Sequence, residues 1–183
     1  MLSTKHRETL HEVARQSIKD GLRDGREPVI ELSEYDQVLC EKRATFVTLK
    51  INNRLRGCIG TLTAVRPLVE DVAHNAYAAA FHDTRFDPLT ADELATLDIH
   101  ISILNSPEDM SFDSEQDLLR QLRPGKDGVI LQENFRRATF LPSVWESIDS
   151  KAEFIQHLKQ KAGLPMNYWS DDIKIQRYSV ESF

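Results

Sequence analysis

The segment RLRGCIGT, residues 54–61, combines two arginines, a cysteine and two glycines in one short apolar run. If it is a strand, its side chains alternate between two faces. One face would carry Arg54, Arg56, Cys58 and Gly60, and the other Leu55, Gly57, Ile59 and Thr61. A nearby guanidinium favours the thiolate, which is the nucleophilic form of cysteine. Cys58 is therefore a candidate nucleophile. The alternatives are that it is a small apolar residue packed beneath a helix, or a pocket residue that does not act as a nucleophile.

A second group of candidates lies on the predicted helix that follows Pro67. Asn75 and His82 are seven residues apart, which places them on one side of that helix. A buried amide without hydrogen-bond partners costs about 1–3 kcal/mol. Asn75 therefore either ties down a neighbouring loop or lines a cleft with His82 and Arg56. In the second case His82 is a candidate catalytic residue.

The segment HDTRFDPLT, residues 82–90, adds charged residues directly after that helix. Asp83 and Arg85 can pair locally, with Phe86 and Leu89 anchoring the loop. A structural loop is the default interpretation, although rigid loops are also where binding sites are built. The predicted binding groove consists of Arg56, Gly57, Gly60, Asn75, Asp83 and Arg85.

Composition excludes several classes of protein. A hydrophobic content of 40% and a charged content of 28% are ordinary for a folded domain, and we expect one domain over residues 1–183. The net charge of −6 argues against nucleic-acid binding and against an anionic membrane surface. Two cysteines are too few for a disulfide framework. With no signal-peptide or membrane-spanning pattern, we expect a cytoplasmic protein with reduced thiols.

Familiar catalytic motifs do not occur in this sequence. There is no GxGxxG, P-loop, G-x-S-x-G, CxxC or HExxH pattern. His74 and His82 are not spaced for a shared metal ion on one helix. We therefore predict no metal site and no bound cofactor.

The elements that must position these residues are mixed helices and strands. Their order is not strictly alternating, and two hairpins imply antiparallel pairing, so the sequence predicts an α+β fold with a mixed, largely antiparallel sheet and packed helices. Predicted helices cover Thr4 to about Gly21 (with Gly21 as the cap), RPLVEDVAHNAYAAAFHDTRF (with Pro67 in the first turn), TADELATL (with a capping box of Thr90 and Glu93), SFDSEQDLLRQL, SVWESI and KAEFIQHLKQKAGL (ended by Gly163). Predicted strands lie in ATFVTLKINNRLRGCIGT (turning at Asn52-Asn53), LDIHISILN, DGVILQENFRRATFLP (turning near Asn134) and DIKIQRYSVESF.

Several segments resemble the AMMECR-one domain family, known in prokaryotes as protein A of the AmmeMemoRadiSam system. They are FVTLKINNRLRGCIGTL, DVAHNAYAAAFHDTRFDPLTADEL, LDIHISILNSPEDM, DGVILQ, ATFLPSVW and HLKQKAGL, in the family's order. LRGCIG is the hallmark of the family. The matching motif positions are Arg56, Gly57, Cys58, Ile59, Gly60, Asn75, Asp83, Arg85, Phe86 and Pro88. The sequence departs from the family at Glu133-Asn134-Phe135, where relatives usually carry glycines.

The resemblance implies an α+β fold with a larger and a smaller lobe and the hallmark near a groove between them. It also implies two partners, a Memo-like protein and a radical S-adenosylmethionine protein, but no established reaction. One hypothesis is an enzyme or enzyme subunit of a modification pathway, in which Arg56 binds an anionic group and Cys58 reacts. The alternative is a non-catalytic module whose RGCIG groove recognises a protein partner.

Overall fold

The computed structural model describes residues 2–183. Its α-helices are α1 (Thr4–Asp24), α2 (Leu68–Phe81), α3 (Glu115–Gln121) and α4 (Lys151–Lys161). Its strands are β1 (Ala44–Ile51), β2 (Arg54–Gly60), β3 (Leu97–Leu104), β4 (Glu108–Asp109), β5 (Gly128–Glu133), β6 (Arg136–Phe140), β7 (Lys174–Tyr178) and β8 (Val180–Ser182). Short 3₁₀ segments cover Leu32–Glu34, Gln37–Leu39, Ala91–Thr96 and Pro142–Glu146. No helix in residues 2–183 has both the length and the apolar character needed to cross a membrane.

The chain divides into two compact units. The first contains residues 2–104 and 181–183, and the second contains residues 105–180. Each unit has its own four-stranded sheet, in the order β2-β1-β3-β8 in the first and β4-β7-β5-β6 in the second. β1 is antiparallel to β2 and β3, and β7 is antiparallel to β4 and β5. The predicted α+β class is thereby confirmed, with two sheets instead of one.

The core of the first unit forms where α1 and α2 pack together and α2 covers one face of the sheet. Val47 and Leu49 of β1 are fully buried there, because alternate residues of a strand face the same way. Ser17 of α1 is also buried, and its hydroxyl donates to the Ala73 carbonyl of α2 at 2.7 Å. The site residues of β2 and α2 are therefore held by one continuous core.

The core of the second unit is built around the aromatic residues of its helices and loops. Trp145 stacks on Phe154 of α4 with ring centroids 3.7 Å apart and an interplanar angle of 2°. The Trp145 indole also donates to the Asp127 carbonyl at 2.8 Å. A buried ammonium on α4, that of Lys159, is paired with Glu115 of α3. These contacts tie α3 and α4 to the sheet of this unit.

The first helix ends later than predicted. α1 continues to Asp24, and Gly25 is the residue in the left-handed conformation, with φ 69°. The prediction that Gly21 caps this helix is wrong. Gly21 lies inside the helix, where a Cβ would come within 2.3 Å of the Phe81 ring. Its lack of a side chain serves helix packing rather than termination.

Both predicted hairpins are present. Asn52 and Asn53 have φ 51° and 62° between β1 and β2, and Asn134 has φ 53° between β5 and β6. The last predicted strand is divided in two. Residues 174–178 form β7 in the second unit, and residues 180–182 form β8 in the sheet of the first unit.

Candidate functional site

A β-bulge interrupts the hallmark segment at Arg56. The register pairs Thr48 with Cys58, Leu49 with Gly57, Lys50 with Leu55, and Ile51 with Arg54. Arg56 is therefore an extra residue in β2. Because directly opposed residues share a face, Leu55 lies on the face of Cys58. The predicted alternation of side chains between the two faces is therefore correct from Gly57 to Gly60. It is wrong for Arg54 and Leu55, which the bulge places on the opposite faces.

The main chain of Cys58 is fastened to the loop that follows α2. β2 is an edge strand, and the Cys58 N–H donates to Asp83 Oδ2 at 2.8 Å. The Cys58 carbonyl accepts from Arg85 Nη2 at 3.4 Å. The thiol and the Thr48 hydroxyl are 3.3 Å apart on neighbouring strands. Within residues 2–183, this hydroxyl is the only side-chain group that forms a hydrogen bond with the thiol.

Asp83 and Arg85 form the predicted local pair. Arg85 Nε and Nη2 donate to the two oxygens of Asp83 at 2.9 and 2.7 Å. These hydrogen bonds, together with those from the N–H groups of Cys58 and Arg85, lower the pKa of Asp83 against the opposing effect of burial. Asp83 is buried, whereas the Arg85 side chain is 55% exposed. Arg85 thus fixes the loop and still presents part of its guanidinium to solvent.

Arg56 is paired with Glu93 in the 3₁₀ segment Ala91–Thr96. Its Nε and Nη2 donate to Oε1 and Oε2 of Glu93 at 2.7 and 2.9 Å. The Thr90 N–H also donates to Glu93, at 2.9 Å, which completes the predicted capping box. The Arg56 hydrogen bond is the main cause that lowers the pKa of Glu93 to about 2. Glu93 thus takes up the two donors of Arg56, Nε and Nη2, that could otherwise bind an external anion.

An open cavity of about 480 Å³ lies beside the bulge, and we call it the Arg85 cavity. It is lined by Arg56, Thr84, Arg85, Phe86, Asp87 and Glu93. The guanidinium carbons of Arg56 and Arg85 lie 5.9 and 5.5 Å from the centre of the Phe86 ring. Two guanidiniums and two carboxylates give a nearly balanced charge. Such a lining suits a polar peptide segment better than a small, strongly charged anion.

Asn75 lies in a buried hydrogen-bond network and does not line the Arg85 cavity. Its Nδ2 donates to the Thr45 carbonyl and hydroxyl at 3.0 and 2.9 Å and to Asp71 at 3.0 Å. Asp71 also accepts from the Thr61 hydroxyl at 2.8 Å and from Arg66 at 3.1 Å. Asn75 therefore has the structural role of the two considered, because its amide holds the β1 residue Thr45 by hydrogen bonds.

His82 also lies outside the hydrogen-bond network around Cys58. It is the exposed C-cap residue of α2, and its ring lies edge-on to Tyr77 at 5.1 Å. In the described chain it forms no hydrogen bond with the Cys58 thiol and does not line the Arg85 cavity. The structure therefore brings Arg56, Cys58, Asp83 and Arg85 together, but not Asn75 and His82.

The two glycines of the hallmark permit close internal packing. A Cβ on Gly57 would come within 2.1 Å of the Ala79 carbonyl oxygen of α2. A Cβ on Gly60 would come within 2.2 Å of the Phe46 ring. Both glycines are thus explained by contacts inside the first unit.

Sequence reasoning missed Glu93, Thr48 and Thr84 as parts of this site. The capping box identified Glu93 as a local helix signal, but nothing in the sequence linked it to Arg56. Across residues 2–183, no group of three or more His, Cys, Asp or Glu side chains is arranged to hold a metal ion.

Comparison with known proteins places this site in a family of uncharacterised proteins. The family model described as AMMECR1 matches residues 11–183. A Thermotoga maritima protein is 41% identical over 159 residues, which cover 85% of this chain and 86% of that protein. Protein MJ0810 of Methanocaldococcus jannaschii is 35% identical over 167 residues, which cover 87% and 80% of the two chains. The crystal structure of the uncharacterized protein PH0010 from Pyrococcus horikoshii superposes with a TM-score of 0.86 at 32% identity, over 96% of this chain and 89% of that one.

Proposed function

The chain belongs to the AMMECR1 family, and we propose that it is a component of a cytosolic modification pathway that acts with Memo-like and radical S-adenosylmethionine proteins. Its part in this pathway is recognition, in which the Arg85 cavity binds a segment of one of these partners. The resemblance of the hallmark segments to the family supports the pathway. The geometry around Cys58 supports recognition over catalysis.

The observation that carries the recognition role is the way in which Cys58 is held. A catalytic cysteine is activated by a base within hydrogen-bond reach or by a nearby cation that stabilises its thiolate. The nearby cation, Arg85, is already paired with Asp83. Here the thiol is bonded to the Thr48 hydroxyl, and the adjacent main chain is fixed by Asp83 and Arg85. This arrangement holds Arg85, which lines the Arg85 cavity, in place through Asp83 and the main chain of Cys58. A preorganised surface of this kind reduces the entropy lost on binding.

The Arg85 cavity offers the groups that recognise a peptide segment. Arg85 presents a half-exposed donor, Asp87 a carboxylate acceptor, and Phe86 an aromatic surface. Arg56 Nη1 is buried and has no hydrogen-bond partner among residues 2–183. Because this nitrogen is buried, the polar groups that a partner can reach are those of Arg85 and Asp87.

Binding measurements with purified partners test the proposal. The Memo-like and radical S-adenosylmethionine proteins of the same organism would be immobilised separately, and binding of this chain followed by biolayer interferometry. Thr84→Arg fills the cavity with a long side chain, so we expect affinity for one partner to fall at least about 10-fold. Cys58→Ser should bind like the wild type.

Two variants serve as controls for the cavity. Thr84→Ser keeps its shape, and Thr63→Arg adds the same charge at an exposed threonine that does not line it. Both should retain wild-type affinity. The proposal fails if neither partner binds the wild-type chain, or if Thr84→Arg binds as tightly as Thr63→Arg.

A further inference from the structure

The tip of the β5–β6 hairpin exposes a large aromatic side chain to solvent. Glu133 pairs with Arg136, so Asn134 and Phe135 form a two-residue turn. Phe135 has a relative exposure of 105%, the highest among the large apolar residues of the described chain. A single exposed apolar residue is common, so the surroundings decide whether it has a role.

A neighbouring loop extends this apolar tip. The Tyr168 hydroxyl donates to Glu133 Oε1 at 2.7 Å, and Arg136 donates to the Gly163 carbonyl. These two hydrogen bonds fasten the loop of residues 163–168 to the end of the hairpin. Pro165 and Met166 of that loop are exposed. Hairpin and loop therefore present several apolar groups from one rigid support.

Unpaired cations border the same end of the sheet. Gln132 of β5 pairs with Arg137 of β6 on one side and with Lys174 of β7 on the other. The three residues form an exposed row across the sheet. The one carboxylate of the hairpin, Glu133, is buried and bonded to Tyr168.

The lack of ion pairs distinguishes these cations from the other arginines of the second unit, whereas Lys126, Lys151 and Lys161 also form none within residues 2–183. Arg120, Arg123 and Arg177 each pair with a carboxylate. Arg136, Arg137 and Lys174 form no ion pair within residues 2–183. In a chain with a net charge of −6, these three cations lie together near an exposed aromatic ring, and the exposed carboxylates of Asp171 and Asp172 precede Lys174 in the chain. We define this tip surface as Phe135, Arg136, Arg137, Pro165, Met166 and Lys174.

We propose that the tip surface binds a partner protein through an acidic segment that carries a large apolar side chain. Phe135 would contact that side chain, and Arg137 and Lys174 would pair with carboxylates beside it. Charge complementarity supports this choice, since the cations have no partner in the described chain. Aromatic and arginine side chains are also those that contribute most to protein interfaces. The surface lies in the second unit and does not depend on the Arg85 cavity.

Selection from a peptide library tests the kind of partner. A random 12-residue phage library would be selected on the full wild-type chain, with counter-selection on the triple variant Phe135→Ala, Arg137→Glu, Lys174→Glu. We expect enriched peptides with net negative charge and at least one large apolar residue. A synthetic enriched peptide should lose at least about 10-fold in affinity on Arg137→Glu with Lys174→Glu, and a similar factor on Phe135→Ala.

Matched controls show whether the surface is specific. Val29→Ala removes an apolar side chain that is 97% exposed in the first unit, and Arg120→Glu reverses an exposed charge in the second. Both should bind the peptide as the wild type does. Enrichment of neutral or basic peptides, or equal binding by the Phe135→Ala variant, would overturn the proposal. So would tighter binding of single-stranded DNA, or a dimer in size-exclusion chromatography that Phe135→Ala dissociates, because the occupant would then be of another kind.

Discussion

Arg56 and Cys58 are two residues apart in the sequence but belong to different contacts in the fold. A β-bulge redirects side chains and bends its strand. In this molecule the bulge leaves Arg56 without a partner in β1, and the guanidinium joins Glu93 and Phe86. Cys58 remains in register opposite Thr48. The side chains of Arg56 and Cys58 therefore have separate partners and form no hydrogen bond with each other.

The Arg56–Glu93 ion pair should make stability depend on acid pH. The pKa of Glu93 is lowered from 4.5 to about 2 in the folded protein. A lowered folded-state pKa contributes stability that is full above the unfolded value and is lost as pH falls toward the folded value. The contribution of Glu93 should therefore disappear between about pH 4.5 and 2. Asp83, whose pKa is also lowered, should act in the same direction.

Urea unfolding at several pH values, followed by circular dichroism, measures this effect. Glu93→Gln should flatten the decline in unfolding free energy below about pH 4.5. Glu8→Gln removes a carboxylate that is exposed and forms no ion pair in the described chain, and it should keep the wild-type slope. Equal slopes for the Glu93 and Glu8 variants would show that the ion pair contributes nothing.

The buried carboxylate of Asp71 should be one of the most sensitive side chains of the first unit. It accepts hydrogen bonds from the main chain and hydroxyl of Thr45, and from Thr61, Asn75 and Arg66. Asp71→Asn places an amide donor against these donors and should lower the unfolding free energy by about 3 kcal/mol. Asp98→Asn, at an exposed carboxylate, should cost less than about 0.5 kcal/mol. Similar losses for the two variants in urea unfolding would contradict this role of Asp71.

At the level of elements, the close approach of β2 to α2 depends on Gly57. A methyl group there would lie 2.1 Å from the Ala79 carbonyl oxygen, so strand and helix must separate. Gly57→Ala should lower the unfolding free energy by at least about 2 kcal/mol. Gly25→Ala provides the comparison, since nothing lies within 4 Å of its Cβ and only a φ of 69° opposes it. Gly25→Ala should lower the unfolding free energy by about 1 kcal/mol in thermal or urea unfolding. If Gly57→Ala lowers it by less than Gly25→Ala does, β2 and α2 can shift to accommodate the methyl group.

The elements that the sequence predicted are those with local causes. The Asn52-Asn53 turn, the capping box of Thr90 and Glu93, and the ending of α4 at Gly163 depend on residues close in sequence. The bulge at Arg56 depends on pairing with β1, and the Arg56–Glu93 contact joins residues 37 positions apart. Such contacts leave no periodic pattern in a single sequence. The same reason explains why Gly21, which looked like a helix cap, is a packing residue.

At the level of the whole molecule, the two units can be followed by different probes. Both tryptophans, Trp145 and Trp169, lie in the second unit. Tryptophan fluorescence therefore reports the second unit, whereas circular dichroism reports both. The variants at Glu93, Asp71 and Gly57 change the first unit and are best measured by circular dichroism.

The second unit offers its own test of packing. Trp145→Phe keeps an aromatic ring beside Phe154 but removes the indole hydrogen bond to the Asp127 carbonyl. The unfolding free energy of this unit should fall by about 1–2 kcal/mol, as measured from the fluorescence of Trp169. Trp169→Phe is the control, because its indole forms no hydrogen bond in the described chain. A loss for Trp145→Phe no larger than that of the control would show that the hydrogen bond is dispensable.

The most direct test of a recognition role is the reactivity of Cys58. Alkylation by iodoacetamide would be followed by mass spectrometry in a Cys40→Ser background, for the native protein and for the protein in urea. We expect slow labelling of the native protein, the same rate after His82→Asn, and fast labelling once the thiol loses its contacts with β1. Rapid native labelling that slows on His82→Asn would instead show an activated nucleophile and contradict the account.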